Sequence, residues 1–178
     1  MLVHSTKLKD CLVIEPKVFG DNRGFFLETF SKQRYREETG ITLEFVQDNH
    51  SRSAKGVLRG LHFQKTKPQG KLIRVVRGSV FDVAVDIRPE SATFGQWTSV
   101  ELSEQNKKQL WVPPGFAHGF AALSDRTELE YKCTAYYDPE DERSILWSDP
   151  DLNIPWPVKS PTLSTKDIEA ALLKDLQL

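Results

Sequence analysis

A chain of 178 residues is long enough for one sizeable core, and 39% hydrophobic with 28% charged residues excludes an extensively disordered protein. With 24 Lys and Arg against 25 Asp and Glu, no net field draws it to nucleic acid or a membrane surface, and any anion must be held by a few placed residues. The opening MLVHSTKLKD lacks an apolar h-region and no run approaches the roughly 20 apolar residues of a bilayer span, so neither a secretory signal nor a membrane helix is expected.

In chain order, Val18–Phe30 first draws attention, because it holds too many apolar residues to lie exposed. Ser31 caps a predicted short helix through Glu38, with Gly40 just past its end. Strand patterns follow at Gly56–Gln64 and Lys71–Arg77. From Gly78 to Ile87 the alternation is strict, with Phe81, Val83, Val85 and Ile87 on one face and Asp82 and Asp86 on the other. Further strands are predicted at Trp97–Leu102, Gln109–Val112 and Leu129–Tyr137, between clusters of Gly, Pro, Asn and Asp. Four prolines from Pro150 to Pro161 mark an extended loop. Thr165–Leu176 then sets Ile168, Ala171, Leu172 and Leu176 at helical spacing, with Ser164 as N-cap and Asp167 as the acid of a capping box. Many short strands with frequent turns predict an all-β antiparallel sandwich or barrel. No repeat or linker interrupts the sequence, so residues 1–178 read as one domain. Cys11 and Cys133 form no framework and no CxxC pair, which fits a reducing cytoplasm.

Chemistry-bearing side chains gather in a few of these segments. Arg59 and His62 lie in one strand pattern with opposite parity, and Gly60 between them allows a bulge that re-aims one of them. Alone, a histidine there is more often packed than catalytic. The spacing Pro113-x-Gly115-x-x-His118 resembles the second half of the cupin signature, where a Pro–Gly turn leads into a strand that projects the histidine. Metal cupins add a His-x-His pair, and here Gln64 stands at its second position. With histidines only at His4, His50, His62 and His118, no three-ligand set for zinc or non-heme iron is expected, and so no metal. Leu129, Tyr131, Cys133, Ala135 and Tyr137 share a face that points inward, while Glu128, Glu130 and Lys132 share the other. Lys71 alternates with Ile73 and Val75, and an inward lysine needs an anionic partner. Packing alone accounts for the tyrosines, and the helix dipole alone for Asp167.

Taken in order, the segments Val18–Phe26, Phe45–Ser51, Gly56–Gln64, Gly70–Leu72, Gly78–Arg88, Trp111–Phe120, Tyr131–Tyr137 and Leu163–Asp167 resemble the dTDP-4-dehydrorhamnose 3,5-epimerase family over nearly the whole chain. The resemblance implies a cupin-like double-stranded β-helix, or jelly-roll, barrel with short flanking helices, and a homodimer. It implies inversion of C3 and C5 of dTDP-4-dehydro-6-deoxy-D-glucose to give dTDP-4-dehydro-L-rhamnose, without a cofactor. His62 matches the general base, Asp167 the carboxylate that orients it, Tyr131 the general acid, and Lys71 a cation near the reacting sugar. Arg23, Glu28, Gln47, Asp48, Asn49, Arg59, His118, Glu142 and Lys166 match substrate contacts, and Tyr137 an aromatic beside the nucleotide.

The chemistry suits these residue types. A ketone at C4 acidifies the hydrogens at C3 and C5, because the carbanion delocalises onto oxygen as an enolate. A histidine removes such a proton near neutrality, an aspartate fixes its tautomer, and a cation steadies the oxyanion. Arginines such as Arg23 and Arg59 suit a pyrophosphate. No GxGxxG fingerprint for a redox cofactor is present. The alternatives are an epimerase acting at only C3 or C5, and a sugar-nucleotide-binding cupin without catalysis.

Overall fold

The computed structural model describes residues 1–178, and their alternating segments form two facing sheets. The first runs in the order β1 (Leu2–Ser5), β2 (Leu12–Glu15), β10 (Gln109–Val112), β7 (Lys71–Arg77), β12 (Thr127–Cys133) and β5 (Gln47–Ser53). The second runs β13 (Glu142–Ser144), β6 (Leu58–Gln64), β11 (Phe116–Ala122), β8 (Ser79–Asp86) and β9 (Trp97–Ser103). A separate hairpin joins β3 (Val18–Asp21) to β4 (Gly24–Leu27). Neighbours such as β10 and β7, or β12 and β5, are distant in sequence and pair antiparallel, the connectivity of a jelly-roll barrel. The all-β, cupin-like expectation holds.

Three apolar layers hold these sheets. Between them, Ile73, Val75, Val112 and Leu129 of the first meet Val80, Ala84, Leu102, Phe116 and Phe120 of the second. Burying each such side chain contributes about 1.5–3 kcal/mol relative to exposure. Behind the second sheet, Val83, Val85 and Ile87 pack on Ile145, Leu152, Ile154 and Leu173. The more apolar face of β8 therefore lies outside the barrel, and Val80, Asp82 and Ala84 point into it. Behind the first sheet, Ile14, Leu72 and Trp111 lie under Tyr35 of α1 (Lys32–Thr39). That helix begins and ends as expected, with the Ser31 hydroxyl accepting from the Arg34 N–H and Gly40 left-handed at φ 75°.

Two expectations need correction. The strand at Leu129 ends at Cys133 rather than Tyr137, because Thr134 turns away to exchange hydrogen bonds with Gly70. Tyr136 and Tyr137 are consequently exposed. The expected twelve-residue C-terminal helix is a single turn, α2 (Thr165–Ile168), followed by a 3-10 turn at Leu173–Asp175. An isolated helix of that length is marginal, and other partners win the backbone. Ala171 bridges to Ile145, its carbonyl accepts from the Leu146 N–H, and the Leu173 N–H donates to Asp149. Leu173 enters the core and Ile168 stays exposed. Pro150–Pro161 is free of helix and strand, as its prolines require.

Candidate active site

A bulge on β6 decides which side chains enter the barrel. His118 of β11 stands opposite His62, yet Phe120 stands opposite Arg59, so β6 carries one extra residue in this interval. The extra residue brings Arg59 and His62, of opposite parity in a regular strand, onto one face. It is the face of Phe120, which packs in the barrel core. Gly60 has φ 128°, and a Cβ there would lie 2.5 Å from the Gly119 Cα, so this contact of two backbones requires glycine. At the start of β11, Gly115 with φ 82° makes the turn that sets His118 in the wall.

His62 and Asp167 meet across 105 residues of sequence, with Nε2 to Oδ1 at 2.5 Å. The Nε2–H donates to the carboxylate, which leaves Nδ1 of His62 as the free nitrogen. Asp167 is 2% exposed, and its second oxygen accepts from the Ser164 hydroxyl at 2.8 Å. Burial alone raises the Asp167 pKa, but the hydrogen bonds and charge of His62, with Ser164 and Lys166, outweigh it and hold the carboxyl below its usual range. The capping-box expectation is thus half right. Ser164 does accept the Asp167 N–H at 3.3 Å, but the Asp167 carboxylate serves His62 instead of reaching back to the backbone.

From the opposite sheet, Lys71 and Tyr131 face the same interior. Lys71 is 8% exposed and has no carboxylate within ion-pairing distance. Burial pushes its ammonium below the ordinary 10.5, while Cys133, Glu142 and Asp82 nearby oppose that shift. Tyr131, between Ile73 and Asn49 on the neighbouring strands, makes no hydrogen bond through its hydroxyl within the chain. Burial, helped by Cys133 and Glu142, pushes that hydroxyl up to about 12.

A polar network forms the rim. Gln47 accepts the Tyr137 N–H at 2.9 Å and donates to Asn49 at 3.0 Å. The Tyr137 hydroxyl and the Lys166 ammonium both donate to Glu142, at 3.0 and 2.6 Å. Burial raises the Glu142 pKa, but Lys166 and the charge of His62 bring it below the usual carboxylate range. Arg59 donates to the Ser53 hydroxyl at 3.1 Å and to the Arg52 carbonyl at 3.4 Å.

Three matched residues are not brought to this cluster within one chain. Asp48 has the outward parity of β5 and pairs with Lys132 on the outer face. Arg23, 85% exposed at its side chain, pairs with Asp21 at the tip of the β3–β4 hairpin, and Glu28 pairs with Arg34. The sequence reading also missed side chains that the fold adds. Local pattern marks Ser164 only as a helix cap and Asp82 only as the polar side of a strand; an acid set between Val80, Phe81, Val83 and Ala84 is the available signal. Gln64 is fully engaged, donating to the Lys67 and Tyr136 carbonyls and accepting from the Asp138 N–H. No three His, Cys, Asp or Glu side chains converge as a metal-binding group.

The sequence and fold recur in known proteins. The family model described as dTDP-4-dehydrorhamnose 3,5-epimerase matches residues 5–175. The dTDP-4-dehydrorhamnose 3,5-epimerase of Shigella flexneri is 57% identical over 176 residues, covering 98% of this chain and 97% of that protein. Among solved structures, the 3,5-epimerase RmlC of Legionella pneumophila Philadelphia 1, in complex with dTDP-4-keto-L-rhamnose, superposes with a TM-score of 0.96 at 55% identity, over 99% of this chain and 94% of that one. ChmJ of Streptomyces bikiniensis, a 3'-monoepimerase in complex with dTDP-quinovose, has a TM-score of 0.90 at 34% identity, over 96% of this chain and 87% of that one. Sequence and fold agree across almost the full length: the chain belongs to the dTDP-4-dehydrorhamnose 3,5-epimerase family and is an isomerase.

Proposed function

We propose that this epimerase inverts C3 and C5 of dTDP-4-dehydro-6-deoxy-D-glucose to give dTDP-4-dehydro-L-rhamnose, a step toward dTDP-L-rhamnose in the cytoplasm. The observation that carries the reading is His62 on one sheet, paired with Asp167 of α2, facing Lys71 and Tyr131 on the other sheet. Nδ1 of His62 takes the proton from the carbon beside the ketone, and Asp167 stabilises the imidazolium that results. The enolate oxygen is steadied by the Lys71 ammonium, whose attraction is strong in a buried setting. Tyr131 returns a proton from the opposite wall, and the configuration inverts. Gln47, Asn49, Arg59, Tyr137, Glu142 and Lys166 at the rim hold the nucleotide and sugar. Two unpaired, buried cysteines support the cytoplasmic setting.

Proton NMR of the reaction in deuterated water tests this directly. Deuterium should enter at both C3 and C5, with inversion of both. The likeness to a 3'-monoepimerase gives the second reading, and exchange confined to one carbon would establish it in place of the first.

Burial orders the alkaline titration. Tyr131 is pushed up to about 12 and Lys71 down from 10.5, so Lys71 loses its proton first as pH rises. The alkaline limb of kcat/KM should therefore lie below 10.5, and the exchange remaining in Tyr131→Phe should keep the same limb. A limb that disappears with the Tyr131 hydroxyl assigns it to the tyrosine instead.

The working unit in this reading is a homodimer. Val18, Phe19, Phe25 and Phe26 of the β3–β4 hairpin are 42%, 52%, 62% and 69% exposed, a cost that a second copy removes by covering them. The same docking carries Arg23 and Glu28 to the second copy's site, which accounts for two matched contacts that stand apart in the single chain. Light scattering should give twice the chain mass. Mixing inactive Arg23→Ala with inactive His62→Ala protein should restore activity through dimers holding one intact site. A stable monomer, or mixtures that stay inactive, would contradict the arrangement.

A further inference from the structure

Asp82 lies mid-strand on the inward face of β8, between Val80 and Ala84, with Phe120 and Val100 opposite it on the flanking strands. It is fully buried. A carboxylate in such surroundings is costly unless a donor meets it. Its Oδ1 lies 2.8 Å from Nε2 of His118, while Oδ2, also buried, has no protein partner. His118 is 8% exposed at its side chain, its Nδ1 makes no hydrogen bond within the chain, and it stands opposite His62 on the adjoining strand. The barrel wall thus holds two adjacent histidine–aspartate pairs with different access. His62 is 24% exposed and suited to exchanging protons; His118 is nearly enclosed and suited to a fixed orientation.

We propose that Asp82 is a positioning residue of the epimerase site: it accepts the Nε2–H of His118, fixes the tautomer and angle of that ring, and so presents Nδ1 to the bound keto-sugar. The assignment rests on the epimerase reading above. An imidazole without such a partner divides between two tautomers and rotates about its side-chain bonds, so only part of its population meets the substrate productively. The carboxylate removes that freedom in advance. Its negative charge also lies near enough to Lys71 to oppose the loss of that ammonium's proton.

Two variants separate this role from a purely structural one. Asp82→Asn keeps the shape, and Asp82→Leu suits the apolar surroundings, so a failure of one to fold does not end the test. Either should lower kcat by roughly tenfold to a hundredfold, less than the loss of a full acid or base, with a smaller change in KM. In a His118→Ala background the same substitution should cost nothing further, because its effect runs through the ring. Equal losses with and without His118 would overturn the proposal. Nitrogen-15 NMR of the wild-type histidines, with the His118 signal identified by its absence in His118→Ala, should show the Nε2–H form. A proton on Nδ1 alone would overturn it without any Asp82 variant. A wild-type protein inert toward the dTDP-keto-sugar would instead defeat the epimerase reading, while the tautomer measurement still decides the role of Asp82.

Discussion

Replacing His62 should abolish turnover and solvent deuterium exchange together, each by at least about a hundredfold to ten-thousandfold. The reason is the order of steps. Without a base no carbanion forms, so neither inversion nor exchange can begin, and no later group can compensate. His62→Ala has a second effect that must be kept apart from the first. It leaves one oxygen of Asp167, 2% exposed, without its donor, and losing a hydrogen bond to a buried charged group costs about 1–3 kcal/mol. His62→Gln places an amide N–H at the position along the side chain that Nε2 holds, so it can donate to Asp167 without the basic nitrogen, and it isolates the chemistry. Both variants should be inactive, and the glutamine variant should unfold at a temperature close to the wild type. Asp167→Asn keeps the base and loses its charged partner, so it should lower the rate without eliminating exchange. Near-native exchange in His62→Gln would move the base to another residue.

The strands were legible because their signals are local. Gln109–Val112 and Lys71–Arg77 alternate or run apolar between clear breakers, and both match the observed limits. Ser31 and Gly40 likewise mark α1 by backbone chemistry that needs no tertiary context. The C-terminal segment shows where local reasoning stops. Its helical spacing is real, yet pairing of Ala171 with Ile145 and of Leu173 with Asp149 outweighs one short helix. The site divides in the same way. Parity placed Lys71 and Tyr131 inward, and Gly60 announced the bulge, but parity alone did not say whether Arg59 or His62 would be re-aimed. The meeting of His62 with Asp167, and of Asp82 with His118, depends on which strands lie side by side, and no pattern within a strand encodes that. Arg23 and Glu28 lie further still from local pattern, since their proposed partner is a second copy of the chain.

Tyr131→Phe should lose net epimerisation while retaining exchange, and the difference arises from where the two groups stand. His62 is on β6 of one sheet and Tyr131 on β12 of the other, so a sugar ring held between them has one group on each face. A base alone can remove a proton and return it, or a solvent deuteron, to the same face, which gives exchange without inversion. Inversion needs delivery from the other face. The Tyr131 hydroxyl suits delivery, because burial pushes it up to about 12 and keeps it protonated at working pH, and because no protein group occupies it. That second fact also makes the substitution mild: removing a hydroxyl with no partner should change stability by less than about 0.5 kcal/mol while the ring keeps its packing. The expected result in one NMR reaction is deuterium entering at carbons beside the ketone with inversion lowered at least about a hundredfold. Inversion at an undiminished rate would assign the acid to another group, and loss of exchange along with inversion would place Tyr131 in the proton-removal step shared with His62.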